Sequence, residues 1–105
     1  LYKNGGKWGD QQILPKSWVD ESLTQHVQTQ NPNMHYGYLW WHTIYDVGEK
    51  PYSVFGCSGN GGNKIFVFEE IDLVVVITAS AYGQPYMHNQ VDEMMEQFIL
   101  PAVLD

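Results

Sequence analysis

Two stretches of the chain, Ile65-Phe66-Val67-Phe68 and Leu73-Val74-Val75-Val76-Ile77, are apolar at every position, and Glu69-Glu70-Ile71-Asp72 separates them. Their length, their β-branched and aromatic content and the mostly polar quartet between them predict two strands, Lys64 to Phe68 and Leu73 to Ala79, joined as a hairpin with a four-residue loop. A strand wet on one face alternates apolar and polar residues, because successive side chains point to opposite faces. Neither run alternates, so the sequence predicts a sheet covered on both faces. One cover is legible. Met87, Val91, Met94, Met95 and Phe98 recur at the spacing of a single helical stripe, Asp92, Glu93 and Glu96 lie off it, and Pro101 breaks or kinks that helix. Nothing of similar length and apolarity remains for the other face, so the expectation is a sheet that belongs to a larger body. The opening on Leu1 rather than Met carries the same expectation of a piece cut from something longer.

The remaining elements are shorter. Leu1 to Gly6 reads as the end of a helix stopped by Asn4-Gly5-Gly6, and Gly9-Asp10 as a turn. Pro15 suits the first turn of a helix with Trp18, Val19 and Leu23 on one side and Asp20 and Glu21 in water. Thr24 to Pro32 is polar and reads as a loop. Tyr36-Gly37-Tyr38-Leu39-Trp40-Trp41 reads as a strand, with Gly37 admitting another backbone. Asp46 to Pro51 is a turn, and Tyr52 to Cys57 a short strand. The sum is one α+β unit: a small antiparallel sheet of about three strands with a C-terminal helix on one face. Its parts are a helical and loop portion at 1–33, the sheet at 34–80 and the helix at 85–105.

Charge narrows the partners. Five Lys and no Arg stand against twelve acids, and residues 65–105 hold seven acids and no base. Contact with phosphates needs clustered Lys or Arg, so nucleic acid and anionic membrane surfaces are poor partners. The longest apolar run has five residues, far short of a bilayer span, and no cationic segment precedes an apolar stretch at the N-terminus. Cys57 is the only cysteine, which excludes an internal disulfide and a thiolate metal cage. His26, His35, His42 and His88 show no ligand-like spacing.

Chemistry concentrates in Gly56-Cys57-Ser58-Gly59-Asn60-Gly61-Gly62. A phosphate loop needs a Lys after its last glycine and a helix to follow, whereas Gly62 and then a strand follow here. The remaining readings are a glycine-rich strand connection with Asn60-Gly61 as its turn, or a backbone that must lie against a ligand.

Tyr36 to Trp41, then Ser58-Gly59-Asn60-Gly61-Gly62-Asn63-Lys64-Ile65-Phe66-Val67-Phe68, then Ile71 to Ala79 and Ile99-Leu100-Pro101-Ala102 resemble, in order and spacing, the C-terminal third of the serine β-lactamase-related hydrolases. That family includes class C β-lactamases, penicillin-binding DD-peptidases and related esterases. Leu1 to Ser22 resembles the family's helix, its Asn-Gly-Gly-Lys-Trp turn and a second helix after it. The resemblance implies ester or amide hydrolysis through an acyl-enzyme, no cofactor or metal, and a bacterial periplasmic or secreted setting. In the family a Ser-x-x-Lys helix supplies nucleophile and base, a Tyr-x-Asn or Ser-x-Asn loop assists, and a Lys-Thr-Gly-like triplet lies on a sheet edge.

Carried over, Cys57-Ser58-Gly59 matches the triplet. In the family the triplet's hydroxyl binds the substrate carboxylate; Ser58 is then that hydroxyl, Gly59 permits close approach, and the Asn60 N–H is an oxyanion donor, with Cys57 and Gly61 beside the substrate. A gapless match through the next strand places the triplet at Val54-Phe55-Gly56 instead. In either register the triplet's usual cation is missing, which disfavours substrates bearing a carboxylate. The chain contains no Ser-x-x-Lys and no Tyr-x-Asn, so it cannot alone run the family's reaction. The expectation is a partner: the rest of the parent hydrolase, or another copy through the uncovered sheet face. The alternative is a small non-catalytic module that binds sugars or peptides on surface aromatics, Trp40-Trp41 foremost among the fifteen aromatic residues.

Overall fold

A computed structural model describes residues 1–104. A 3-10 turn, Tyr2–Asn4, is closed by Gly5 at φ 64°. Strands β1 (Lys7–Trp8) and β2 (Gln11–Gln12) form a separate small hairpin around Gly9-Asp10. Pro15 precedes α1 (Lys16–Leu23), where its missing N–H costs the helix nothing. Then come β3 (Val27–Gln28), β4 (His35–Tyr36), β5 (Trp41–Val47), β6 (Lys50–Gly59), β7 (Asn63–Phe68) and β8 (Leu73–Ile77). These six form one sheet in chain order, antiparallel throughout.

The sheet therefore has six strands rather than about three. Two of the extra strands, β3 and β4, are only two residues long and sit in polar or mixed sequence, where alternation has no room to show. The aromatic run Tyr36 to Trp41 is not one strand but the end of β4, a turn and the start of β5, and Leu39 takes φ 66° in that turn. Gly37 admits the backbone of the α1 end beside this turn. A side chain there would place its Cβ 2.3 Å from the Ser22 carbonyl oxygen, and the Tyr38 N–H donates to that same carbonyl at 2.9 Å. The turn after β5 is also tighter than Asp46 to Pro51. Val47 pairs with Lys50, so Gly48 and Glu49 alone make the bend, Gly48 at φ 64°. The β7–β8 hairpin forms as the apolar runs predict, with Phe68 paired to Leu73 across the four-residue loop.

The core lies between one face of this sheet and the C-terminal helix. Tyr45, Tyr52, Val54, Phe66 and Phe68 meet Val91, Met95 and Leu100. That helix is α2 (Asn89–Met94), a π turn (Met95–Ile99) and α3 (Leu100–Leu104). The extra residue in the π turn rotates the rest of the helix by about a quarter turn or more. Leu100 is thereby fully buried, and Phe98, expected on the apolar stripe, is 66% exposed. Pro101 is accommodated in the first turn of α3, two residues after the π turn, and does not end the helix. Asp105, the last residue of the expected helical segment, lies outside the described residues.

The opposite face is covered at one corner only. The 3-10 turn lies against β7, Lys3 is paired with Asp72, and α1 comes beside Phe55 and Glu69. Val67 is buried to 5% there, while Ile65, Val74 and Val76 are 43%, 46% and 63% exposed. Among the described residues no helix is long and apolar enough to cross a membrane.

Candidate functional site

Strand β6 outruns its neighbour. The β5 ladder ends at the pair Trp41–Gly56, whereas the β7 ladder continues through Cys57–Ile65, Ser58–Lys64 and Gly59–Asn63. Cys57, Ser58 and Gly59 are thus paired on one side alone and form a local sheet edge inside a six-stranded sheet. The alternative triplet, Val54-Phe55-Gly56, is paired with β5 along its whole length, and Val54 is fully buried in the core.

The turn after this edge is held by the chain beyond β8. Asn60 Oδ1 accepts from the Gly83 N–H at 3.1 Å, and Gly61 O accepts from the Ala81 N–H at 3.1 Å. Asn63 joins both sides. Its Nδ2 donates to the carbonyls of Asn60 and Ala79 at 2.8 and 3.0 Å, and its Oδ1 accepts from the Ala79 N–H. Gly61 and Gly62 have φ of 86° and 89°. A Cβ on Gly61 would meet the Tyr82 ring at 2.7 Å, and one on Gly62 the Met87 carbonyl at 2.6 Å. The need for glycine at these two positions comes from the protein's own chain. Gly59 differs: its φ is not positive, and a Cβ there would make only ordinary contacts with Asn63 at 3.5 Å and beyond.

The residues expected at the site divide accordingly. Ser58, Gly59 and Asn60 succeed one another along the open edge, Ser58 and Asn60 exposed. No hydrogen bond among the described residues engages the Asn60 N–H. Gly61 is buried, and its N–H points to Met87 Sδ at 3.3 Å. Cys57 lies on the opposite sheet face from Ser58, as strand alternation requires. Its thiol is half-buried, and burial pushes its pKa up, the reverse of what a thiolate nucleophile needs.

Lys64 is the residue that sequence reasoning passed over. Its Nζ donates to Ser58 Oγ at 2.6 Å. The signal was in the hairpin arithmetic: with Asn60-Gly61-Gly62 as a three-residue turn, Gly59 faces Asn63 and Ser58 must face Lys64. The pair lines a cleft of about 420 Å³ whose walls also include Trp41, Tyr45, Phe66 and Asp92. Burial lowers the Lys64 pKa, and Asp92 opposes that shift. The Tyr45 hydroxyl donates to Asp92 Oδ1 at 2.6 Å. Burial first, and that carboxylate second, push the Tyr45 pKa upward. On the other face Cys57, Ile65, Val76 and Thr78 line a shallower trough of about 400 Å³.

Trp40 and Trp41 do not form one platform. Trp40 packs on Tyr2 with ring centroids 4.7 Å apart, and Trp41 on Tyr36 at 4.3 Å. Among the described residues no three His, Cys, Asp or Glu side chains come together as a metal site. No protein-family model matches the chain, and no curated protein matches it.

Proposed function

We propose that this chain is the C-terminal portion of a β-lactamase-like serine hydrolase that cleaves an ester or amide through an acyl-enzyme. Its part is the substrate-facing sheet edge, with nucleophile and base contributed by a portion of the protein beyond these residues. The observation that carries the reading is the one-sided pairing of Cys57–Gly59. It leaves a hydroxyl, a residue without side chain and the Asn60 N–H along a strand edge where a substrate carbonyl can lie. A backbone donor aimed at developing negative charge is worth about 3–4 kcal/mol to an acyl transfer. Gly59 supports the reading because the fold places no steric demand for glycine on it. The exposed strip of Ile65, Val74 and Val76 supports a covering body over the second face, either the remainder of the parent or another copy.

Two assays test this. The sequence upstream in the same reading frame should contain a Ser-x-x-Lys, and Ser58→Ala in that longer protein should lower kcat/KM for a chromogenic ester by about tenfold or more. The 105-residue chain alone should not turn over that ester. Turnover by the chain alone that Ser58→Ala abolishes would mean that Ser58 and Lys64 are themselves nucleophile and base, and would overturn the proposal. So would a longer protein with no such motif.

A further inference from the structure

Strands β3 and β4 form a strap that is lightly held to the rest of the sheet. Two residue pairs join β4 to β5, His35–His42 and Tyr36–Trp41, and both residues of β3 are exposed. The strap nevertheless reaches the site. Met34, the residue before β4, lines the same cleft as Ser58 and Lys64, and so does Trp41, on which Tyr36 packs. A segment with few buried contacts is where a fold opens first. The clasp of this one is a pair of imidazoles. The His35 and His42 rings are within 7° of parallel, with centroids 4.4 Å apart, and the Phe55 ring lies 5.1 Å from that of His42. Among the described residues no carboxylate comes within 4 Å of either imidazole. On α1, Asp20 is paired with Lys16 and Glu21 with His26. Glu69 lies beyond Phe55, and Asp46 is four residues farther along β5. Gln28, which faces His35 from β3, and Ser53 and Cys57 on β6 are uncharged.

A proton on His42 therefore meets no opposing charge. The neutral ring fits its place by donating Nε2–H to the Ser53 hydroxyl, which leaves the buried Nδ1 as a bare lone pair with no partner among the described residues. Charging the ring turns Nδ1 into a donor with nothing to accept it, and sets a positive charge at stacking distance from a second imidazole. Burial first, and His35 second, hold the His42 pKa below 6.5 for the same reasons. We infer that β3 and β4 are a strap released by protons: in mild acid His42 charges, its stack with His35 parts, β4 leaves β5, and the cleft opens on the side of Met34 and Trp41. The inference rests on the reading of this cleft as substrate-facing and adds its regulation. Release gives both His42 nitrogens water, so the open form takes up the proton more readily than the closed one, and acid favours opening. The strap is closed above about pH 6.5 and is released as the pH falls toward the lowered closed-form value.

Nuclear magnetic resonance on the 105-residue chain tests this between about pH 7.5 and about pH 5. Overhauser contacts between the His35 and His42 rings, and between Tyr36 and Trp41, should weaken and disappear as the His42 ring titrates, while the core contact of Tyr45 with Phe66 persists. A soluble nitroxide should broaden the Ser58 and Lys64 signals more at the lower pH than at the higher. His42→Phe, which keeps a ring to stack and removes the charge, should hold the strap closed at both. Should that variant not fold, the native chain carries the test, because loss of the strap contacts must coincide with titration of the His42 ring. Strap contacts that survive to the lower pH, that vanish together with the core contact, that vanish without titration of His42, or that still vanish in His42→Phe would each overturn the inference. So would release that leaves Ser58 and Lys64 no more open to the nitroxide. Those failures leave the hydrolase proposal standing, because it is judged on catalysis by the longer protein, and a longer protein without Ser-x-x-Lys leaves the measured release of the strap unchanged.

Discussion

Glycines 59 and 62 lie three residues apart and answer to different constraints. Gly62 sits at φ 89° with the Met87 carbonyl 2.6 Å from where a Cβ would stand. Gly62→Ala should therefore lose about 1–3 kcal/mol or more in chemical denaturation, from left-handed strain and from displacement of the segment behind it. Gly59→Ala has room and an unstrained φ. It should change stability by less than about 1 kcal/mol while impairing turnover in the longer protein. Equal losses of stability in the two variants would remove the reason for thinking Gly59 is kept for a ligand. At this scale the sequence was partly legible. The glycine-dense segment, Ser58 and Asn60 stood out by residue type, but which glycines serve the fold depends on Tyr82 and Met87, some twenty residues away in the chain. Lys64 was hidden differently: as one polar residue at the start of an apolar strand it looked like a strand boundary.

Among the elements, the C-terminal helix and the short strands departed most from the pattern. A stripe read at 3.6 residues per turn assumes an uninterrupted helix, and the π turn breaks that assumption at Met95. Met95→Ala should accordingly cost about 2–5 kcal/mol, while Phe98→Ala should be nearly silent, because Phe98 is on the solvent side. Strands β3 and β4 hang on the sheet through two residue pairs, His35–His42 and Tyr36–Trp41. The two imidazoles are stacked with centroids 4.4 Å apart. His42 also bonds Ser53 through Nε2, and its Nδ1 is buried with no partner among the described residues. Burial, and then His35, hold the His42 pKa below its ordinary value of 6.5. The unfolded chain thus takes up the proton more readily than the folded one. This contribution to stability is complete above about pH 6.5 and is lost as the pH falls toward the lowered folded value. Denaturation midpoints measured from about pH 7.5 down to about pH 5 should fall with pH. The fall should shrink in His42→Phe, and most of it should persist in His35→Gln, because burial is the larger cause. A midpoint that does not change over that range would rule out His42 as the titrating group.

For the molecule as a whole, the two unbroken apolar runs proved to have a plain geometry. One face of β7 and β8 lies in the core, and the other is covered near Val67 and bare at Ile65, Val74 and Val76. Of the two covers expected from the sequence, one is therefore present in full and the second reaches one corner. That corner is supplied by a small helix whose buried contribution, Val19 and Ser22, was too slight to read as a cover. The bare strip adjoins β8, which is also the edge of the sheet, so apolar side chains and unpaired backbone groups are presented together. A second copy of this chain can use both, by pairing β8 to β8 and stacking the valines. Sedimentation velocity over a concentration series should show reversible association of the 105-residue chain. Val76→Lys with Val74→Thr should abolish it by placing a charge and a hydroxyl on the strip. Because both side chains are substantially exposed, the double variant should keep the thermal stability of the dissociated chain. Association that survives the double variant would place the contact elsewhere. A chain that stays monomeric at every concentration would mean that the strip is tolerated bare, and would withdraw the support it gives to a covering body.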